Sequence, residues 1–484
     1  MKKILITLIS IITVYLLLLI PCPEQQLPAS PGKKAFIWDK DALWNDMEKK
    51  FIEVKDTPCK YLERDISSSL YNYNLLLQIF DNKKFEYSNS VFKIMEYEFF
   101  NLAPMIAACP ERLNDYIELA VNVRKKLKEQ SKYWDMSDSK VKHLTYRLLY
   151  GTRAAIEEVM LQNTDKEINK LTLCNDEPSQ TPFTELLGVK IHSGDILVSR
   201  GGAPTSALIS RGSDYPGNFS HVALAHVDKK TNKLSIIEAH IEVGVAIADA
   251  DKYIKDTKLR VMVLRLRSDH PELIKDPMLP HKAAEYALKD AQTRHIPYDF
   301  AMDYTDDNEL FCSEVASYAY RKFNIDLWMK LSSISQPGLM NWLGAFGVRN
   351  FETQEPSDLE YDPQLTVVAE WRDLNVLFKD HIDNAILDVR LEGANNGDQL
   401  TYPAFLLPFG RIMKAYSWVS NIFGQAGAVP EGMSAESALK NDSFSKTHAK
   451  IKSKLLPMLE EFEKENGYRP PYWKIVEMAR EAVK

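Results

Sequence analysis

The hydrophobic period changes partway along this chain, and that change constrains the fold more than any single motif. Up to about residue 172 the apolar residues recur at helical spacing. Leu43, Trp44, Met47 and Phe51 fall on one face, as do Leu113, Tyr116, Ile117, Ala120 and Leu127. Ser137, Asp138 and Ser139 offer an N-cap to a further periodic run from Val141 to Leu161. A polar, proline-bearing break then runs from Asn175 to Pro182. Beyond it come short apolar runs: Asp195–Val198, His221–Val227, Leu234–Glu238, Val243–Ile247 and Arg260–Arg265, joined by close polar turns. That pattern reads as a mainly antiparallel sheet. Helices are expected from about His281 to Arg294 and from Cys312 through Tyr320, which makes the fold class α+β.

A length of 484 residues exceeds one compact core. The expected organisation is a signal or membrane anchor over 1–22, a linker over 23–35 and a helical domain over 36–174. A catalytic α+β domain over 185–330 and a mixed, mainly helical extension over 331–484 follow. In the extension, Leu455–Phe462 and Ile475–Val483 read as helices, Asn395–Asp398 as a turn and Val429–Ser434 as a loop. A net charge of −7 without a basic run argues against a nucleic-acid partner.

Lys2 and Lys3 precede an apolar run from Ile4 to Ile20, which reads as an export signal. Leu19-Ile20-Pro21-Cys22 resembles a bacterial lipoprotein box, with Pro21 where a small residue is preferred. A lipid on Cys22 and an uncleaved anchor are both open. Either places residues 23–484 outside the cytoplasm, tethered to the membrane in a periplasm or cell envelope. Of the other cysteines, Cys59, Cys109 and Cys174 allow one disulfide, whose pairing the sequence leaves open. The absence of a CxxC pair argues against a structural zinc module.

The chemistry centres on Cys312. Phe311-Cys312-Ser313-Glu314 follows the acidic, loop-like stretch Tyr304–Glu309 and opens a helix. A thiol at a helix N-terminus beside an imidazole becomes a thiolate nucleophile. Its own N–H could face a substrate carbonyl as an oxyanion donor. His221 opens an apolar strand, a rigid mount for a general base. Glu238, on the next strand, can accept from the second ring nitrogen and fix the tautomer. His240 lies on the same face and competes for that third role; Glu238 is preferred because it sits inside the apolar run. A zinc site from His221, His226, His240 and Cys312 is disfavoured, since His221 and His226 face opposite sides of a strand. A thiol–imidazole pair needs no cofactor and no metal.

Four ordered pieces carry a family resemblance: Gly194-Asp195-Ile196-Leu197, Phe219–Ala223, Ile237-Glu238-Ala239, and Pro297–Phe300 followed by Phe311–Glu314. Together they resemble the NlpC-type branch of the papain-like superfamily in its circularly permuted form, the YiiX-like group. In that form the histidine precedes the cysteine, as His221 precedes Cys312. Phe311 stands where a tyrosine is usual, and Ala223 where a glycine is usual. The resemblance implies a permuted papain-like domain with Cys312, His221 and Glu238 as triad. It also implies that Tyr298 and Asp299 line the cleft. The expected activity is amide hydrolysis through a thioester, with cell-wall peptide as the favoured substrate. Permuted relatives resembling lecithin:retinol acyltransferase suggest lipid acyl chemistry as the alternative, and an envelope-binding protein without activity is a third reading.

Overall fold

In a computed structural model of the protein, residues 2–22, 26–36, 42–163, 169–423 and 425–484 are described. Five helices, Ala42–Val54, Cys59–Asn82, Val91–Ala108, Leu113–Ser131 and Ser139–Leu161, build the N-terminal part. Their inward faces close a core around Ile66, Met95, Phe99, Tyr116 and Ile156. The last helix begins where Asp138 caps it, its carboxylate accepting from the Lys140 N–H at 2.8 Å. Cys59 is disulfide-bonded to Cys109, which clips the start of one helix to the end of the next. Cys174 stays a free thiol, pushed up to about 12 by burial.

Strands on both sides of the polar break build a seven-stranded antiparallel sheet, its edge strand Leu171–Leu173 lying in the stretch expected as part of the helical domain. Its spatial order is Leu171–Leu173, Leu365–Arg372, Lys258–Leu266, Ile196–Gly201, His221–Val227, Leu234–His240 and Gly244–Asp249. The expected boundary at residue 330 therefore does not coincide with the edge of the sheet. Leu365–Arg372 returns from the later part of the chain to pair with Lys258–Leu266. Val222 and Leu224 pack beneath Ala283, Ala284 and Val315 of the helices Leu279–Thr293 and Glu314–Arg321. Ala223 and Ala225 point to the opposite face, as strand alternation requires.

Gly194 and Asp195 have structural work. A Cβ at Gly194, whose φ is +98°, would meet Pro280 at 2.3 Å, so only glycine fits. Asp195 receives both Nε and Nη2 of Arg265 at 2.8 Å and the His192 N–H at 2.8 Å. This pins the opening strand against its neighbour with a bidentate, charge-assisted pair.

The helical part and the sheet are joined by buried ion pairs. Arg260, on the sheet, contacts Glu157 of the N-terminal helices at 2.5 Å and Asp380 of the helix Leu374–Asn395 at 2.5 Å. Arg153 likewise reaches Glu360 and Glu370. Residues 26–35, expected as part of a tether, lie along the body instead. Leu27 packs into the core built by the helix Pro337–Phe346, and Ser30 donates to the Ser335 carbonyl at 2.8 Å. Residues 23–25 of that expected linker lie outside the described residues.

The C-terminal part adds the helices Leu407–Ile422, Ala435–Asn466 and Tyr472–Val483. The expected helical stretches Leu455–Phe462 and Ile475–Val483 fall within the last two. Among the described residues no helix is long and apolar enough to cross a membrane; the N-terminal helix spans Lys2–Leu18.

Candidate active site

His221 is the first residue of its strand, and Glu238 lies on the adjacent strand opposite Ala223. Cross-strand partners share a face, and alternation puts His221 and His240 on that same face. The strand runs on to His240, two residues past the expected end at Glu238, because Ala239 and His240 pair with Val245 and Gly244. The rivalry between Glu238 and His240 resolves into a shared contact. His221 Nε2 is 2.9 Å from Glu238 Oε2, and His240 Nε2 is 3.2 Å from Glu238 Oε1. The two imidazoles stack, 5.6 Å apart at 27°.

Cys312 stands one residue before Ser313, the N-cap of the helix Glu314–Arg321. That helix begins two residues later than expected, which leaves Cys312 in the turn ahead of it. Glu314 accepts the Phe311 N–H at 3.0 Å and closes that turn. The sulfur is buried, donates to the Ser220 carbonyl at 3.9 Å, and lies beside the imidazole of His221, whose charge it feels.

The electrostatics follow from these contacts. Burial pushes the Cys312 thiol up, but the hydrogen bond to His221 and its positive charge outweigh burial and hold the thiol below its ordinary value. Burial likewise pushes His221 down, and the bonds to Cys312 and Glu238 overcome it, lifting the imidazole to about 9. Glu238 is buried, yet its bonds from His221 and His240 hold its carboxyl well below the usual range. The arrangement favours a thiolate–imidazolium pair backed by an ionised carboxylate.

Cys312 opens into a cleft of about 750 Å³. Leu208, Ile209, Met302, Leu343, Phe346 and Met433 line it, so its wall is largely apolar. Thr205, just past the Gly201-Gly202 loop, also lines it. Tyr298 and Asp299 both line it, as the resemblance implied. Burial, then the nearby Cys312, keeps the Tyr298 hydroxyl protonated, on the same cleft wall as the thiol. Asp299 organises the loop by accepting the Ala301 N–H at 2.6 Å.

One group in the cleft escaped the sequence. Glu355 is buried in the wall, and its Oε2 has no hydrogen-bond partner among the described residues. Burial first, then the charges of Asp358 and Cys312, pushes its carboxyl well above the usual range, so it stays a neutral acid. Nothing in the local pattern Gln354-Glu355-Pro356 signals this, because the thiol that shares its cleft lies 43 residues earlier in the chain, counting from 312 to 355. His226, a member of the disfavoured zinc set, stacks on His281 at 5.3 Å on the helical side of the sheet, away from His221.

A scan of family models matches residues 190–369 to the permuted papain-like amidases, the YaeF/YiiX, C92 family. The match begins just before the Gly194-Asp195 turn and ends within the strand Leu365–Arg372, so it takes in six of the seven strands of the sheet. Searches of the curated proteins and of the solved structures return no match. The sheet, the helix behind Cys312 and the order of histidine before cysteine agree with this match, so residues 190–369 of this chain are similar to the permuted papain-like amidases, a family of cysteine hydrolases.

Proposed function

We propose that this protein is an exported, membrane-tethered cysteine hydrolase that removes an apolar acyl group from an amide or ester through a thioester on Cys312. The observation that carries this reading is the apolar cleft into which the Cys312–His221–Glu238 constellation opens. A cell-wall peptide, the substrate favoured from the sequence, is polar and would leave the walls of Leu208, Ile209, Leu343 and Phe346 without an apolar partner. An acyl chain buries against them, at roughly 0.8 kcal/mol per methylene. The disulfide Cys59–Cys109 supports an oxidising, extracytoplasmic compartment. The apolar run from Ile4 to Ile20 supports the tether, with or without lipid on Cys22.

In this mechanism the Cys312 thiolate attacks the acyl carbonyl, and a C–S bond forms as the carbonyl π pair moves to oxygen. The Tyr298 hydroxyl and the Cys312 N–H supply hydrogen bonds to that oxyanion. The carbon–nitrogen or carbon–oxygen bond then breaks, and the His221 imidazolium gives its proton to the leaving group. Water, losing a proton to His221, attacks the thioester, and the carboxylic acid leaves with the thiol restored. Glu238 holds His221 in the tautomer that keeps Nδ1 toward sulfur.

The test is product analysis on phospholipid, N-acylated peptide and peptidoglycan fragments, with wild type and Cys312→Ala. Fatty acid released by wild type alone is the expected result. Stem-peptide fragments without fatty acid would return the cell-wall reading to first place.

A further inference from the structure

The helix Leu407–Ile422 is built the wrong way round for a protein surface in water. Phe409, Ile412, Tyr416 and Val419 recur at i, i+3, i+7 and i+10 along one face, with Phe405 and Phe423 extending it at either end. These side chains point outward: Phe409 is 58%, Ile412 58% and Tyr416 62% exposed, and Trp418, at the flank of the stripe, is exposed as well. Beyond Leu407 and Pro408, which are buried at its start, the side turned to the protein is small or polar. Ser417 is fully buried and accepts the Val429 N–H at 2.9 Å. Lys414 is folded back onto the carbonyls of Pro430 and Glu431. The helix carries two basic residues, Arg411 and Lys414, and no acidic one.

This face continues into a second apolar surface. The N-terminal helix Lys2–Leu18 exposes Ile4, Leu5, Ile6, Leu8, Ile9 and Ile11 in successive directions, so it is apolar around its circumference. Arg411 fastens the two helices together, donating to the carbonyls of Leu18 at 3.0 Å and Ile20 at 2.7 Å at the C-terminal end of that helix. Tyr15 donates to the Phe405 carbonyl at 3.2 Å. The loop after the exposed helix then supplies Met433 to the wall of the cleft beside Cys312.

We infer that the helix Leu407–Ile422 lies in the interface of a lipid bilayer and seats the mouth of the Cys312 cleft on the membrane surface. Four observations select lipid as the occupant: an outward apolar stripe, aromatic residues of the kind that settle at headgroup level, no acidic side chain, and continuity with an all-round apolar helix. A bilayer accepts both helices at once, whereas a second copy of the chain would have to present an equally long apolar trough. The inference uses the reading of residues 1–22 as a membrane tether and extends it to a part of the chain 400 residues away in sequence.

The experiment follows tryptophan fluorescence of the full chain in vesicles of equal parts phosphatidylethanolamine and phosphatidylglycerol, with and without acyl chains brominated to quench nearby indoles. The expected result is a quenched component in wild type that Trp418→Phe removes. Phe409→Glu combined with Ile412→Glu should abolish Trp418 quenching, leaving Cys312 alkylation unchanged as the control for folding. Chain held on vesicles through residues 1–22 with Trp418 unquenched would overturn the inference while leaving the tether intact. Quenching of Trp418 with residues 1–22 accessible to protease would uphold it and remove the tether. A dimer in sedimentation that dissociates in the double variant, with no quenching, would assign this face to a second copy and overturn the lipid reading.

Discussion

His221 Nε2 lies 2.9 Å from Glu238 Oε2, which leaves Nδ1 as the nitrogen facing the sulfur of Cys312. The carboxylate thus decides which ring nitrogen does the chemistry, and the pair of charges it supports sets the reactivity of the thiol.

Alkylation of Cys312 should persist well below the ordinary thiol value of about 8.5, because His221 holds the thiol down. His221→Ala removes that charge and should return an ordinary thiol profile. Hydrolysis should fall on the alkaline side as pH rises through about 9, where the imidazolium loses the proton it gives to the leaving group. Iodoacetamide kinetics and a pH–kcat profile check both limbs.

Glu238→Gln should lower kcat about 100-fold, within the range for general acid–base groups, and shift the alkaline limb downward. The amide no longer stabilises the imidazolium, and burial then dominates His221. His240→Ala should cost far less, since His221 keeps its own contact with Glu238. Steady-state kinetics of the two variants side by side separate these roles.

Tyr298→Phe should lower kcat about 100-fold with little change in KM, as expected for loss of one oxyanion donor. The hydroxyl sits beside Cys312 and is buried, so the phenyl ring keeps the packing. An equal loss in KM would place the tyrosine in substrate binding instead.

Leu343→Trp should shorten the acyl chain the enzyme accepts by filling the cleft that Leu208 and Ile209 also line. A series of p-nitrophenyl esters of increasing chain length reads this directly. The preference should move to shorter esters, with acetate turnover retained.

Glu157→Ala should destabilise the fold by about 3–5 kcal/mol, because Arg260 would be left buried with only Asp380 and His381 would lose its partner. Urea unfolding followed by circular dichroism measures the loss. The same variant tests whether the helical part and the sheet unfold together, since Glu157 bridges them.

Much of the catalytic unit was legible from local pattern. The strand His221–Val227 appears with the bounds its apolar run announced, and Asp138 caps the helix it was expected to cap. Periodicity and capping are local properties, set by neighbours within a few residues. The ordered pieces around Asp195, His221, Glu238 and Cys312 placed the four groups in one domain before any contact was known.

Distance in the chain hid the rest. Leu365–Arg372 completes the sheet from beyond the expected boundary, because strand pairing obeys hydrogen-bond register and not sequence proximity. The disulfide partner of Cys59, the neutral acid Glu355 and the apolar wall of the cleft each depend on which segments fold against one another. So does the outward face of Leu407–Ile422: its sequence shows an apolar stripe, and only the packing of Ser417 and Lys414 against the body shows that the stripe faces out. The sequence by itself determined the α+β plan, because periodicity is local, while the thiol, imidazole and carboxylate were singled out by ordered pieces that resemble the permuted papain-like group. The tertiary structure decided how those groups share one proton network, what lines the space before them and which surfaces remain uncovered, because burial and long-range contact exist only once the chain has closed on itself.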